Sequence, residues 1–273
     1  MSAGIALVVN ADDYGYFDCV SRGILAAHAA GSVGATGVMA NGPRFETTAA
    51  RLRATPALDA GVHLTLSWGE PLTRALAARL AEGRLPGKFA ALTAILTGRW
   101  PLAEVEAEWD AQIARVADAG LNPVFINSHE HVHMLPALYR VAARLARRHG
   151  IRWLRRTTPE WQGAQGLIRN LLLGAMAAAT RADSPQPRLL GLAGSGRLGP
   201  AELRRALSGL ARGGRYELMC HPGEFDAAEV RDGRLLAYHD WSRELAALTD
   251  PGFRDHCAQA GIRLVSFRAL AAE

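Results

Sequence analysis

A chain of 273 residues with 49% apolar and 21% charged residues has the composition of an ordinary folded protein and room for one large α/β unit, so 1–273 is read as one domain. The net charge of +5 and pI near 9.5 come from scattered arginines without interleaved aromatics, which reads as a solvated basic surface and excludes nucleic acid as the expected partner. The cysteines Cys19, Cys220 and Cys257 are widely spaced and form no CxxC pair, which argues for a reducing compartment and against structural zinc.

The first residues lack the basic and apolar regions of a secretion signal, and the expected location is the cytoplasm. Ile5-Ala6-Leu7-Val8-Val9 is a continuous apolar run, the pattern of a strand buried on both faces. It ends in Asn10-Ala11-Asp12-Asp13-Tyr14-Gly15, where two adjacent carboxylates are costly to hold without a cation or a shared proton. Ser21 is placed as the cap of a helix that reaches His28 and closes at Gly31. A second strand over 36–40 and a helix over 45–53 follow. The third strand, 61–66, contains His63, and the turn after it carries Trp68, a candidate platform for stacking a sugar ring. Residues 74–100 carry little chemistry, and 102–119 reads as an amphipathic helix with Glu104, Glu106 and Glu108 in its first half.

The densest chemistry lies in Asn127-Ser128-His129-Glu130-His131-Val132-His133, between the apolar run Val124-Phe125-Ile126 and a helix over 138–148 with Pro136 in its first turn. In an α/β fold that junction is the carboxyl end of a strand, where ligands bind. An extended segment would put His129, His131 and His133 on one face; a helical one would pair His129 with His133. One or two of the three are read as ligands, and the others as their supports. The fifth strand, 151–155, ends in Arg155, which is suited to a substrate oxygen or to neutralising an acidic residue. Trp153 and Trp161 are further stacking candidates. Residues 157–200 contain a helical segment and a Gly-rich stretch without a phosphate-loop motif. The apolar part, 167–180, is interrupted by Arg169 and is too short to span a membrane; it is suited to covering the barrel or to a homodimer contact. A helix over 202–212 leads to the sixth strand, 215–220, which ends in His221-Pro222-Gly223-Glu224. Helices over 242–248 and 253–260 precede the last strand, 262–266.

Strands and helices thus alternate about seven times, which implies a parallel sheet with right-handed crossovers. Asp12, Asp13, His63, His129, Arg155 and His221 all fall on strands or at their carboxyl ends, and a closed or nearly closed barrel gathers those ends at one rim. One Asp with two His leaves coordination positions for water and substrate, as a catalytic divalent metal requires.

Taken together, the segments 10–15, 61–64, 127–133 and 217–223, with Arg243-Glu244-Leu245, Leu248-Thr249 and Gly261-Ile262, resemble the YdjC-like carbohydrate deacetylases, which include the chitooligosaccharide deacetylases. The resemblance covers nearly the whole chain. It implies a distorted, incomplete TIM-like (β/α) barrel that binds one divalent ion, Mg²⁺ or Zn²⁺, and hydrolyses the acetamide of an N-acetylated sugar or oligosaccharide. Carried over by position, Asp13, His63 and His129 are the metal ligands and Asp12 the general base. His221, from its strand position, is assigned as the acid for the leaving amine. Arg155, Trp68 and His131 are assigned to substrate contact, and Asn127 and His133 to support of the ligands. The chain departs from the family pattern at Asn127, where an Asp is usual, and carries Tyr14 where Phe is commoner. The alternatives are another metal-dependent hydrolase on the same barrel, such as a phosphoesterase or cyclic amidase, and a carbohydrate-binding protein without activity.

Overall fold

The computed structural model describes residues 4–160, 166–180 and 184–273. Trp161 lies outside them. Eight parallel strands form the sheet: β1 (Ile5–Tyr14), β2 (Ala35–Val38), β3 (Asp59–Leu64), β4 (Phe125–Ser128), β5 (Trp153–Leu154), β6 (Arg188–Leu190), β7 (Arg215–Cys220) and β8 (Ile262–Leu264). Seven run in the order β5-β4-β3-β2-β1-β7-β6. β8 pairs with Ile5, Ala6 and Leu7 of β1, below the point where β1 takes up β2. Among the described residues β5 and β6 do not pair with each other, so the barrel is incomplete, as the resemblance implies. At that opening Gln186 Oε1 accepts a hydrogen bond from Leu154 N at 3.0 Å.

β6 was not expected from the sequence, because three residues inside a Gly-rich region give no period-2 signal. The helices that flank the sheet bury periodic stripes. In the helix Leu102–Asp118, Val105, Trp109, Ile113 and Val116 are fully buried and repeat at helical spacing. The same helix buries Glu108, whose carboxylate accepts hydrogen bonds from Leu72 N, Thr73 N and Thr73 Oγ1. Gln112 clasps both the N–H and the carbonyl of Thr65. Glu108 is therefore more than a charge suited to a helix start: with Gln112 it ties down both ends of the 65–73 loop that carries Trp68.

The first helix, Asp18–Ala29, begins three residues before Ser21 and has no side-chain cap. Ser21 lies inside it, donating to Phe17 O and accepting from Gly15 N at 2.9 Å, so it fastens the turn after the two aspartates. The helix Leu167–Ala179 exposes Leu167, Ile168, Leu171 and Leu172. Among the described residues, no helix is long and apolar enough to cross a membrane.

Candidate metal and catalytic site

β1 carries both aspartates, and its pairing with β2 shifts register between Ala11 and Tyr14. Asp13 has φ of 71°, the left-handed region that a non-glycine residue enters at a cost. Regular pleating would send the two side chains to opposite faces of the sheet; the irregularity lets both serve the same rim. Asp13 Oδ1 lies 3.1 Å from His63 Nε2 and 2.9 Å from His129 Nδ1. All three side chains are largely buried, and one donor atom from each lies within 4.8 Å of the others.

Asp12 faces a different set of partners. Arg155 grips it bidentately, with Nη1 to Oδ2 at 2.5 Å and Nη2 to Oδ1 at 2.9 Å. The same guanidinium donates to Glu217 Oε1 from Nε at 2.9 Å and from Nη2 at 2.6 Å. Asn10 Nδ2 donates to that oxygen at 2.7 Å. Burial opposes ionisation of Asp12, but Arg155 and His63 outweigh it and hold the pKa down at about 2. At Asp13 burial is likewise overcome, here by His129 and His63, and the pKa is pushed well below the usual carboxylate range. Burial would lower the pKa of His129, whereas Asp13 beside it raises it.

Asn127 joins the two groups. Its Oδ1 accepts the hydrogen of His63 Nδ1 at 2.7 Å and its Nδ2 donates to Asp12 Oδ1 at 2.8 Å. This orients the His63 ring and turns its Nε2 toward Asp13. Gly37 makes room for the pair: a Cβ there would lie 3.1 Å from Asn127 Oδ1 and 3.2 Å from His63 Nδ1.

The three clustered histidines do not share a face. Residues His129–Met134 form a 3₁₀ segment interrupted by left-handed Glu130 and His131, with φ of 55° and 57°. Neither an extended nor an α-helical periodicity applies to such a chain, and each ring finds its own partner. His129 turns to Asp13. His131 Nδ1 sits 3.2 Å from Thr157 Oγ1, and burial pushes its pKa well below the usual histidine value. His133 is buried between Ser128 Oγ at 2.5 Å and the carbonyl of Arg155 at 2.9 Å, and burial lowers its pKa to about 4. Its neutral ring therefore holds the backbone from which Arg155 projects.

Trp68 is half-buried, edge-on to Tyr16 with ring centres 4.4 Å apart; Tyr16 in turn lies 5.2 Å from His129. Trp153 is buried on Phe267 and donates to its carbonyl, so it has no face to offer a sugar. His221 follows β7 directly, and its backbone N donates to Glu244 Oε2 at 2.6 Å. The loop after it is docked on the first helix: Glu224 N donates to Cys19 O, and Arg22 Nε bonds Glu224 at 2.6 Å. A side chain on Gly23 would fall on the backbone of Gly223, which is why two glycines meet there.

Glu217, Glu244, Tyr16, Lys88 and His239 were missed as functional candidates. A charged residue in the apolar strand 215–220 was the available signal for Glu217. Lys88, the only lysine of the chain, pairs with Glu130 at 3.3 Å, and nothing in 74–100 pointed to it.

The residues of the Asp13 group fit a divalent ion. Two imidazole nitrogens and a carboxylate oxygen are a common donor set for one, and the two spacings from Asp13 to the imidazoles are near the ~3.3 Å expected between ligand atoms bound at about 2.0–2.1 Å. Beside them Asp12 and Glu217 are buried against one guanidinium, while Asp13, among the described residues, faces only the two imidazoles, a carboxylate setting that a dication suits.

Fold and site together define an incomplete α/β barrel with a three-donor metal-type group at its rim. The family model described as YdjC-like protein matches residues 6–259, and the chain belongs to that family. It is 34% identical to a chitooligosaccharide deacetylase of Enterobacter sp. (strain 638), covering 97% of this chain and 98% of the relative. It is 30% identical to a carbohydrate deacetylase of Geobacillus stearothermophilus, covering 96% of each. Among solved structures, an Enterococcus faecalis V583 protein provisionally described as a cellobiose-phosphate cleavage protein superposes with a TM-score of 0.76 at 24% identity, over 98% of this chain and 99% of that one.

Proposed function

We propose that this chain is a metal-dependent N-deacetylase that releases acetate from an N-acetylated amino sugar or oligosaccharide. The observation that carries the reading is the convergence of Asp13, His63 and His129 on one point, with the ionised Asp12 alongside. The names of the relatives support the carbohydrate class.

Asp13, His63 and His129 would hold one divalent ion, Mg²⁺ or Zn²⁺. Such an ion supplies Lewis acidity, lowering the pKa of a water and polarising the acetamide carbonyl. Asp12 accepts the proton of the attacking water. Held at about 2, its carboxylate is ionised and open to a proton throughout the neutral range. Arg155, saturated by Asp12 and Glu217, keeps that carboxylate charged and aimed instead of reaching the substrate itself. His221 protonates the amine as the C–N bond breaks. The half-buried Trp68 and the adjoining Tyr16 offer an apolar wall beside His129 for a sugar face. His131 completes the rim on the side of Thr157. The three cysteines are free and buried, which supports a reducing, cytoplasmic setting.

The test is acetate release from chitobiose and a panel of N-acetylated sugars. Protein stripped of metal and reloaded with Zn²⁺, Mg²⁺ or Mn²⁺ is compared with Asp13→Asn treated alike. Release restored by metal and absent in the variant is the expected result. Stoichiometric metal without release from any acetylated sugar would overturn the reading.

A further inference from the structure

His221 and His239 form a pair of buried imidazoles. Both are more than nine-tenths buried, at 7% and 8% exposure, and their ring centres lie 5.0 Å apart. In each, Nδ1 is sealed from solvent and has no hydrogen-bond partner among the described residues. Buried ring nitrogens rarely go unpaired, since an unmade hydrogen bond costs about 1–3 kcal/mol. Glu244 does not serve the His221 ring: its carboxylate is taken by His221 N and by Leu198 N. The two segments are also fastened together, because Gly223 N donates to Trp241 O at 3.2 Å. His239 stacks on Trp241 at 4.8 Å and 11°, with Tyr238 edge-on at 4.7 Å, so its ring is held in place.

We propose that His239 is the positioning residue for His221, its Nδ1 accepting the hydrogen carried by His221 Nδ1, directly after a small rotation of the His221 ring or through one water. This rests on the reading of His221 as the acid of the deacetylation. Burial, reinforced by the neighbouring His221, keeps His239 neutral, with a pKa of about 3, so one of its nitrogens is an acceptor throughout the working range. The charged groups acting on the pair are Asp12 and Glu244 on His221 and Asp13 and His129 on His239. The protonated His221 then keeps its Nδ1 hydrogen on His239 and gives the Nε2 hydrogen to the leaving amine. The C–N bond breaks, the amine carries the proton away, and neutral His221 is reloaded at Nε2 by a proton from solvent.

The experiment compares His239→Ala, His239→Asn and His221→Ala with the parent, each loaded with metal and checked for its content and thermal unfolding. His239→Ala is expected to lose roughly 10- to 100-fold in kcat with KM nearly unchanged. Without an acceptor the protonated ring is less well held, so the alkaline limb of the kcat/KM profile moves to lower pH. His239→Asn retains a carbonyl acceptor and is expected to recover most of the rate and the limb. A ¹⁵N NMR titration of metal-free protein reads the loss of the Nδ1–H hydrogen bond at His221 without any turnover. If His239→Ala leaves both limb and NMR titration in place, or if His239→Asn is no better than His239→Ala, the role of His239 is overturned. An inactive His221→Ala beside a fully active His239→Ala overturns only that role. A fully active His221→Ala removes the acid assignment as well.

Discussion

The acidic and the imidazole sides of the rim are built on opposite principles. On the acidic side, Asp12, Asp13, His63, Asn127, Arg155 and Glu217 form one closed network in which side chain engages side chain from five strands or strand ends. On the other side, His221 is anchored by its backbone, while its ring and that of His239 keep a nitrogen unpaired. The closed network fixes where its carboxylates and rings point, whereas the two imidazoles retain hydrogen-bonding capacity that no described side chain uses. The largest expected effect breaks the locked side at its most reactive member. Asp12→Asn should lose roughly 10²–10⁴-fold in turnover while retaining its metal, measured by acetate release and elemental analysis. Loss of metal with the activity would place Asp12 among the ligands.

Next in size is the fastening itself. Arg155→Met removes the guanidinium that pairs with both Asp12 and Glu217 and should cost about 3–5 kcal/mol of stability, because two buried carboxylates lose their salt-bridge partner. At roughly 2–4 °C per kcal/mol for a chain of this size, a melting experiment should register a drop of ~6–20 °C. A drop of only a degree or two would mean that the network is looser than its distances imply.

The difference between the sides also predicts how stability follows pH. His133 and His239 have folded pKa values of about 4 and about 3, both depressed chiefly by burial. The unfolded chain takes up protons at these residues near pH 6.5 and the folded chain does not. Their contribution is therefore complete above pH 6.5 and declines as pH falls toward 4 and 3. Asp12 acts lower down, its contribution lost only between its ordinary value of 3.8 and about 2. Urea titrations from pH 8 to 4 should show stability declining below 6.5, with a shallower slope in His239→Leu.

Much of this arrangement was legible in the sequence because it follows strand ends. Continuous apolar runs marked the long strands, and Asp12, Asp13, His63, His129, Arg155 and His221 sit where a parallel barrel brings strands to one rim. What escaped notice lacked a period. β6 is three residues long, the 129–134 segment breaks both periodicities with two left-handed residues, and His239 lies between two short helices with no flanking pattern. The role of Arg155 was open because its partners, Asp12 and Glu217, lie 143 and 62 residues away in the chain. Pairing over such separations is set by the fold, and a local pattern does not contain it.

The smallest expected effect separates the two duties of Asn127, the residue that departs from the family pattern. Its carbonyl orients His63 and its amide nitrogen holds Asp12. Asn127→Ala removes both and should weaken metal binding by roughly 10- to 100-fold, as loss of a ligand's orienting partner generally does. Asn127→Asp keeps an acceptor for His63 but turns the donor facing Asp12 into a second carboxylate. Metal affinity should then be preserved or increased, while repulsion raises the pKa of Asp12 and shifts the acid limb of the activity profile to higher pH. Competition with a chelator reads the first quantity and the kcat/KM profile the second. If Asn127→Asp binds metal as weakly as Asn127→Ala, the amide serves His63 in a way a carboxylate cannot, and the closed network depends on a neutral group at its centre.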